Sequence, residues 1–180
     1  MSDAVFRSLL VHQAQVERPS VGLDEEGAPA TPVYRTLASG VVCRLEGLRA
    51  GSSDGLLGRL AEATHVLYLE PMDLRVADRV VMRPVQSQLV AEASAGTAEI
   101  ELSSTKGMWA GAEIEVGSGA NAELNMIAEV SGSLARLRDA LVTTHEAGEV
   151  VSVVRRYEVL SVQDETGVGH HLRAVVKELG

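Results

Sequence analysis

The chain has very few aromatic side chains: Phe, Trp and Tyr make up 3% of its 180 residues, with one Trp and one Phe. Its core must therefore be aliphatic, and it offers few flat rings on which bases or sugars could stack. It has one cysteine, Cys43, which excludes an internal disulfide and suits a reducing compartment. No apolar run reaches membrane-spanning length, and the opening Met1-Ser2-Asp3-Ala4 lacks a basic n-region and a long h-region. These absences predict a soluble protein made in a cytoplasm, with no membrane partner. Basic residues are also scarce, 16 Lys and Arg against 25 Asp and Glu, for a net charge of −9. Surfaces that wrap nucleic acid need clustered Lys and Arg to displace counterions, so this balance argues against that role.

What the chain does have is 46% apolar residues, enough for a real core in one domain or a small pair. The charge is unevenly spread. Residues 84–153 carry ten acidic side chains against Lys106, Arg136 and Arg138, which is −7 of the total −9. That shift in composition predicts a separate module.

Residues 1–8 read as a short arm anchored by Phe6, of the kind that orders on a partner. Alternation from Leu9 to Val16 predicts a first strand, and a turn-rich loop follows from Glu17 to Pro32. Val33 to Ala38 and Val41 to Leu45 read as one strand broken at Ser39-Gly40, or as two short ones. After the loop composition of Ala50 to Gly55, Leu56 to Ala63 is weakly helical and too short to be stable alone. Thr64 to Leu69 returns to strand. The next strand enters through the polar turn at Asp73 and ends at Arg83-Pro84, since the residue before a proline is pushed toward extended geometry.

In residues 84–154, Ile100 and Leu102 alternate with Glu99 and Glu101, and Ile114 and Val116 with Glu113 and Glu115. Leu124, Met126, Ala128 and Val130 alternate with Glu123, Asn125 and Glu129. The pattern predicts a small antiparallel module with its apolar residues inside and one wet, acidic face. Leu134 to Val142 fits a strand or a helix, and the context favours a strand.

The last stretch, from Arg156 to Glu178, has the form of a β-hairpin around a polar, Gly-bearing turn. Its first arm changes its apolar face partway, from Tyr157 and Val159 to Leu160 and Val162. Such a strand is bent or bulged, as a small barrel requires. The hairpin and the strand Asp73–Met82 read as consecutive pieces of one sheet separated by the insertion.

No constellation in the sequence carries chemistry. His170 and His171 are strand neighbours that point to opposite faces and cannot grip one ion together, so no metal is expected. Ser103-Ser104-Thr105-Lys106 matches S-x-x-K, but without its partner motifs it reads as a turn. Cys43, in the apolar run Val41-Val42-Cys43, reads as a small buried hydrophobe. Asp24-Glu25-Glu26 reads as a solvated loop tip. No phosphate-binding glycine loop is present. The expectation is a non-enzymatic protein with no cofactor.

The pattern D-x-x-x-x-D-R-V at 73–80, then Y-x-V-x-x-V at 157–162, a short polar turn, and H-H-L-x-x-x-x-K-E at 170–178 is similar to the head–tail joining family of tailed bacteriophages. These are small β-barrel head-closure or stopper proteins of the neck. The resemblance covers roughly residues 9–83 and 155–180, and about seventy residues separate two motifs that the family keeps close together. It implies an all-β fold: a discontinuous barrel domain of 1–83 and 155–180, interrupted by a β-module of 84–154. Asp78, Arg79, Tyr157, Val159, His170 and Leu172 are its motif and core positions. The inserted segment also resembles a small β-module of phage tail proteins.

The resemblance further implies a ring-forming structural protein, a hexamer or dodecamer of this chain. Its partners are the portal or adaptor protein on one side and the tail terminator or tail tube on the other. Packaged DNA passes through the lumen without sequence-specific binding, and the acidic balance suits that passage. The protein is placed in the virion neck, and in the host cytoplasm during assembly. In the family, the loop after the second barrel strand reaches into the channel and gates it. By position this is Gly47 to Ala63, with Arg49, Ser52, Ser53, Asp54 and Arg59 as lumen candidates. Two other readings stay open: a minor tail or tail-completion protein, and a ligand-binding β-module.

Overall fold

A computed structural model describes residues 3–20, 22, 26, 28, 30–48, 58–164 and 171–180; the side chains of 3, 4, 58 and 59 lie outside the description. The described residues are almost all β, and their ten strands pair antiparallel in one sheet. In chain order the elements begin with helix α1 (Asp3–Leu9), β1 (His12–Ser20), β2 (Val33–Gly47), β3 (His65–Leu69) and β4 (Arg79–Gln88). They continue with β5 (Glu99–Glu101), β6 (Glu113–Val116), β7 (Glu123–Ser131), β8 (Leu134–Leu137), β9 (Val150–Asp164) and β10 (Leu172–Leu179). The chain divides into two compact units, Met1–Met82 with Arg156–Gly180, and Arg83–Arg155. Strands β4 and β9 each contribute residues to both.

In the first unit six strands close into a ring in the order β1-β2-β3-β10-β9-β4, with β4 and β9 neighbours. Its interior is aliphatic apart from Tyr157: Val16, Cys43, Leu67, Leu69, Val80, Val159, Ala174 and Val176 point into it. Closing a short sheet demands sharp bends, and three irregularities supply them. Between β1 and β2, Ala14 pairs with Val41 but Val16 with Ala38, and Glu17 already with Thr36, so β2 carries extra residues near Gly40, whose φ is +67°, and at Leu37. On β9, Val175 pairs with Ser161 and Val176 with Val159, which leaves Leu160 as the extra residue. That bulge is why Tyr157, Val159 and Val162 all face one core despite their mixed parity.

Three boundaries differ from the sequence reading. Residues 3–9 form a helix with Phe6 buried and stacked on His171, ring centroids 4.7 Å apart, and the first strand starts only at His12. The segment read as weakly helical contains a short 3-10 helix, Gly58–Glu62. Strand β4 runs through Pro84 rather than ending there. Leu89 directs its N–H to Glu149 and its C=O to Gly148, while the Gln88 C=O faces Ser103 on the other side. Strand β1 pairs with β4 only up to Met82, and a proline is tolerated where a strand has lost a neighbour.

In the second unit the strands run β9-β6-β7-β8-β5, and a bridge between Leu89 and Leu102 joins the β5 side to the end of β4. Leu89, Ile100, Leu102, Ile114, Val116, Ile127, Leu137, Val151 and Val153 fill its core. Ile100, Ile114 and Val116 lie inside as their alternation predicts. Strand β7 does not: Asn125 and Ile127 are inside, while Leu124 and Ala128 are exposed. Asn125 is tolerated there because its side chain replaces a missing ladder. Its amide donates to the Asp139 C=O at 2.9 Å, and its oxygen accepts the Met126 and Asp139 N–H groups. Leu134–Leu137 is a strand, but the run to Val142 is not.

Candidate functional site

The motif Asp73-Leu74-Arg75-Val76-Ala77-Asp78 is a tight turn, with Ala77 at φ +71°. Asp78 is buried and closes it: its Oδ2 accepts the Arg75 N–H at 2.8 Å, and its backbone N–H donates to the Arg75 C=O at 3.1 Å. Arg18, from β1, completes the centre. Its Nε donates to Asp78 Oδ1 and its second terminal nitrogen to Asp78 Oδ2, both at 2.9 Å. The other terminal nitrogen reaches Asp73 Oδ2 at 2.9 Å. The Arg75 guanidinium covers Asp73 from the opposite side at 2.8 and 2.9 Å. Hydrogen bonds from Arg75 first, then Arg18, hold the Asp73 carboxyl down at about 2, and Asp78 and Asp73 push the Arg18 guanidinium well above its ordinary value. Two guanidinium groups face two carboxyl groups here, so the centre is an electrostatic clamp on a turn.

The neighbouring motif residues are also structural. The Arg79 guanidinium lies 3.4 Å above the Tyr34 ring, a cation–π contact between β4 and β2. Tyr157 and Val159 are core, Leu172 packs against that core, and His65 meets the Tyr157 ring edge-on at 5.2 Å. His12 Nδ1 accepts the Leu45 N–H at 3.1 Å. His170, Arg49, Ser52, Ser53 and Asp54 lie outside the described residues. Arg59 falls on the 3-10 helix, with its side chain outside the description.

A second polar centre sits in the other unit, around the fully buried His145. Glu149 Oε2 lies 2.8 Å from Nδ1, Thr143 Oγ1 3.1 Å from Nε2, and Glu123 Oε2 3.7 Å from Nε2. Glu123 also accepts the Val142 and Thr143 N–H groups. Burial works to raise the Glu123 carboxyl, but these N–H groups and His145 outweigh it and leave it lowered. His145 in turn holds Glu149 below its usual range. Gly117, at φ +79°, leaves the room: a Cβ there would sit 2.8 Å from Glu149 Oε2. A histidine between two carboxylates has the parts of a general base, and here it is fully buried. It ties the Thr143–Glu149 turn to β7.

Two pockets accompany these centres. One of about 230 Å³ lies in the first unit between α1 and the sheet, lined by Phe6, Leu10, Tyr68 and His171 among others. The other, of about 290 Å³, is a polar hollow of the second unit at Gln86, Ser87, Gln88, Ser103 and Val150. There Ser103 of the S-x-x-K stretch meets the Ser87 hydroxyl at 3.1 Å, while Ser104 Oγ accepts the Lys106 N–H at 3.2 Å within the turn. Cys43 is buried, and burial pushes its thiol up to about 11. Among the described residues no three His, Cys, Asp or Glu side chains are grouped to hold a metal ion, and no helix is long and apolar enough to cross a membrane.

Sequence reasoning missed Arg18 and the His145 centre. Arg18 lies fifty-five residues from Asp73, and nothing local marks it. The i,i+4 spacing of His145 and Glu149 was visible, but it signals a pair only on a helix, and here it spans a turn. The chain matches no protein-family model and no curated protein.

Proposed function

We propose that the protein is a structural component of the tailed-phage neck, a subunit of a ring between head and tail that helps to retain packaged DNA. One observation supports this reading most. The two halves of the motif, 73–80 and 157–162, are hydrogen-bonded neighbours: Val159 N–H donates to the Asp78 C=O at 2.9 Å, and Ala77 N–H to the Val159 C=O at 2.8 Å. The second arm of the hairpin, β10, pairs with β9 and completes a closed ring of strands. Such a fold, with an aliphatic core and a turn clamped by ion pairs, suits a rigid part that resists load. An acidic surface suits a channel through which DNA slides without sticking. On this reading the partners are other copies of the chain, the portal or adaptor, and the tail terminator or tail tube. No catalytic step is assigned.

The test is negative-stain microscopy of the purified chain, alone and mixed with portal assemblies from the same source. Rings, or added density below the portal, are expected. Absence of association in every mixture would overturn the neck reading in favour of a tail component.

A further inference from the structure

Strand β2 is fifteen residues long, but it pairs with β3 only over Cys43–Gly47 and with β1 only over Val33–Cys43. Among the described residues, Val33 to Val42 pairs with β1 alone and presents its second edge to solvent. An edge of that length carries a row of unpaired N–H and C=O groups, and proteins usually blunt it with lysine, proline, inward-pointing charge or β-bulges. Residues 33–42 contain no proline and no lysine, Arg35 is their only charge, and the device they do carry is a pair of bulges, which leaves Val33–Thr36 as the regular part of the edge. Val33, Leu37 and Val42 are exposed there, at 62%, 43% and 39%.

Charge says what covers this edge. The chain carries −9, so two copies repel wherever carboxylates meet. Residues 27–45 are its longest stretch without Asp or Glu, nineteen residues containing Arg35 and Arg44. Two copies therefore approach with least repulsion here, and at this edge each offers the other unpaired backbone groups and exposed aliphatic side chains. We propose that residues 33–42 of β2 form a self-association edge, on which a second copy of the chain adds its own β2 antiparallel. The register keeps the two Arg35 side chains from facing each other, because like charges directly opposite are unfavourable. An isologous contact closes at two copies, so it describes the free protein and is separate from the proposed ring.

The test is sedimentation equilibrium of the full chain, with Leu37→Lys and Val33→Lys as edge variants. Both side chains are exposed, so both variants should fold and melt as the parent does. A dimer is expected for the parent, with each variant weakening it by roughly tenfold or more. Amide exchange at 33–42 should slow as concentration rises in the parent and not in the variants. A parent that stays monomeric up to about 1 mM would overturn the proposal, since that is the weak limit of specific association. So would a dimer that both variants leave intact, or one whose exchange protection lies elsewhere.

Discussion

Arg18 and Asp78, sixty residues apart, meet through two parallel hydrogen bonds of 2.9 Å, with Asp78 only 1% exposed. The pair joins β1 to the turn that launches β4. It holds the ring at the point where the chain reverses, and Asp73 extends the clamp toward solvent.

Removing the arginine strands a buried carboxylate. Arg18→Met is expected to lower stability by about 3–5 kcal/mol, the range for breaking one partner of a buried pair. Arg18→Lys keeps the charge but loses the forked geometry, and should lose about 1–2 kcal/mol. Urea denaturation separates the two. Equal losses would show that the charge alone matters.

Gly117 sits against the His145 centre with no room for a side chain. Gly117→Ala should cost about 2–4 kcal/mol, from the left-handed backbone together with the clash on Glu149. Gly148, at φ +87° with nothing within 4 Å of its would-be Cβ, is the control. Gly148→Ala should cost only about 1 kcal/mol. Thermal melts of both variants measure the difference.

Acid should weaken both units. The folded Asp73, Glu123 and Glu149 carboxyls lie below their ordinary values, so more protons bind the unfolded chain as the pH falls. The stabilisation is therefore complete above the unfolded values near about 4 and is lost as pH drops through the folded ones. The urea midpoint should fall steeply below about pH 4. Glu149→Gln and Asp73→Asn should each flatten that slope. An unchanged slope in both would exclude these carboxylates as its source.

Cys43 should be inert. Burial raises its thiol to about 11, and thiolate is the reactive form. A disulfide reagent at neutral pH should label it only at the rate of unfolding. Rapid labelling of the native chain would mean the ring opens locally at β2.

Joining residue 83 to residue 154 through an Asn-Gly turn deletes most of the second unit. Because β4 and β9 are antiparallel neighbours, a two-residue turn connects them without strain. The shortened chain is expected to keep a cooperative melt and β-type circular dichroism. A non-cooperative melt would mean that the first unit cannot fold alone.

The sequence by itself determined the all-β fold, because its apolar residues recur at period two and its glycines fall between the runs. It also determined the bulge on β9, since Tyr157, Val159 and Val162 cannot share a face in a regular strand. Those are local properties of the backbone. The tertiary structure decided what local pattern leaves degenerate. On β7 the alternation assigned Leu124, Met126, Ala128 and Val130 to the interior, yet Asn125 and Ile127 are the buried pair, since a one-residue phase exchanges the two faces. Asn125 won because the fold supplied three backbone partners for its amide. Pro84 is tolerated inside β4 because it lies beyond Met82, the last residue that β1 pairs with. Arg18 and His145 acquired their roles only when distant carboxylates were brought around them. An ion pair across sixty residues is fixed by chain topology, which no short window of sequence contains.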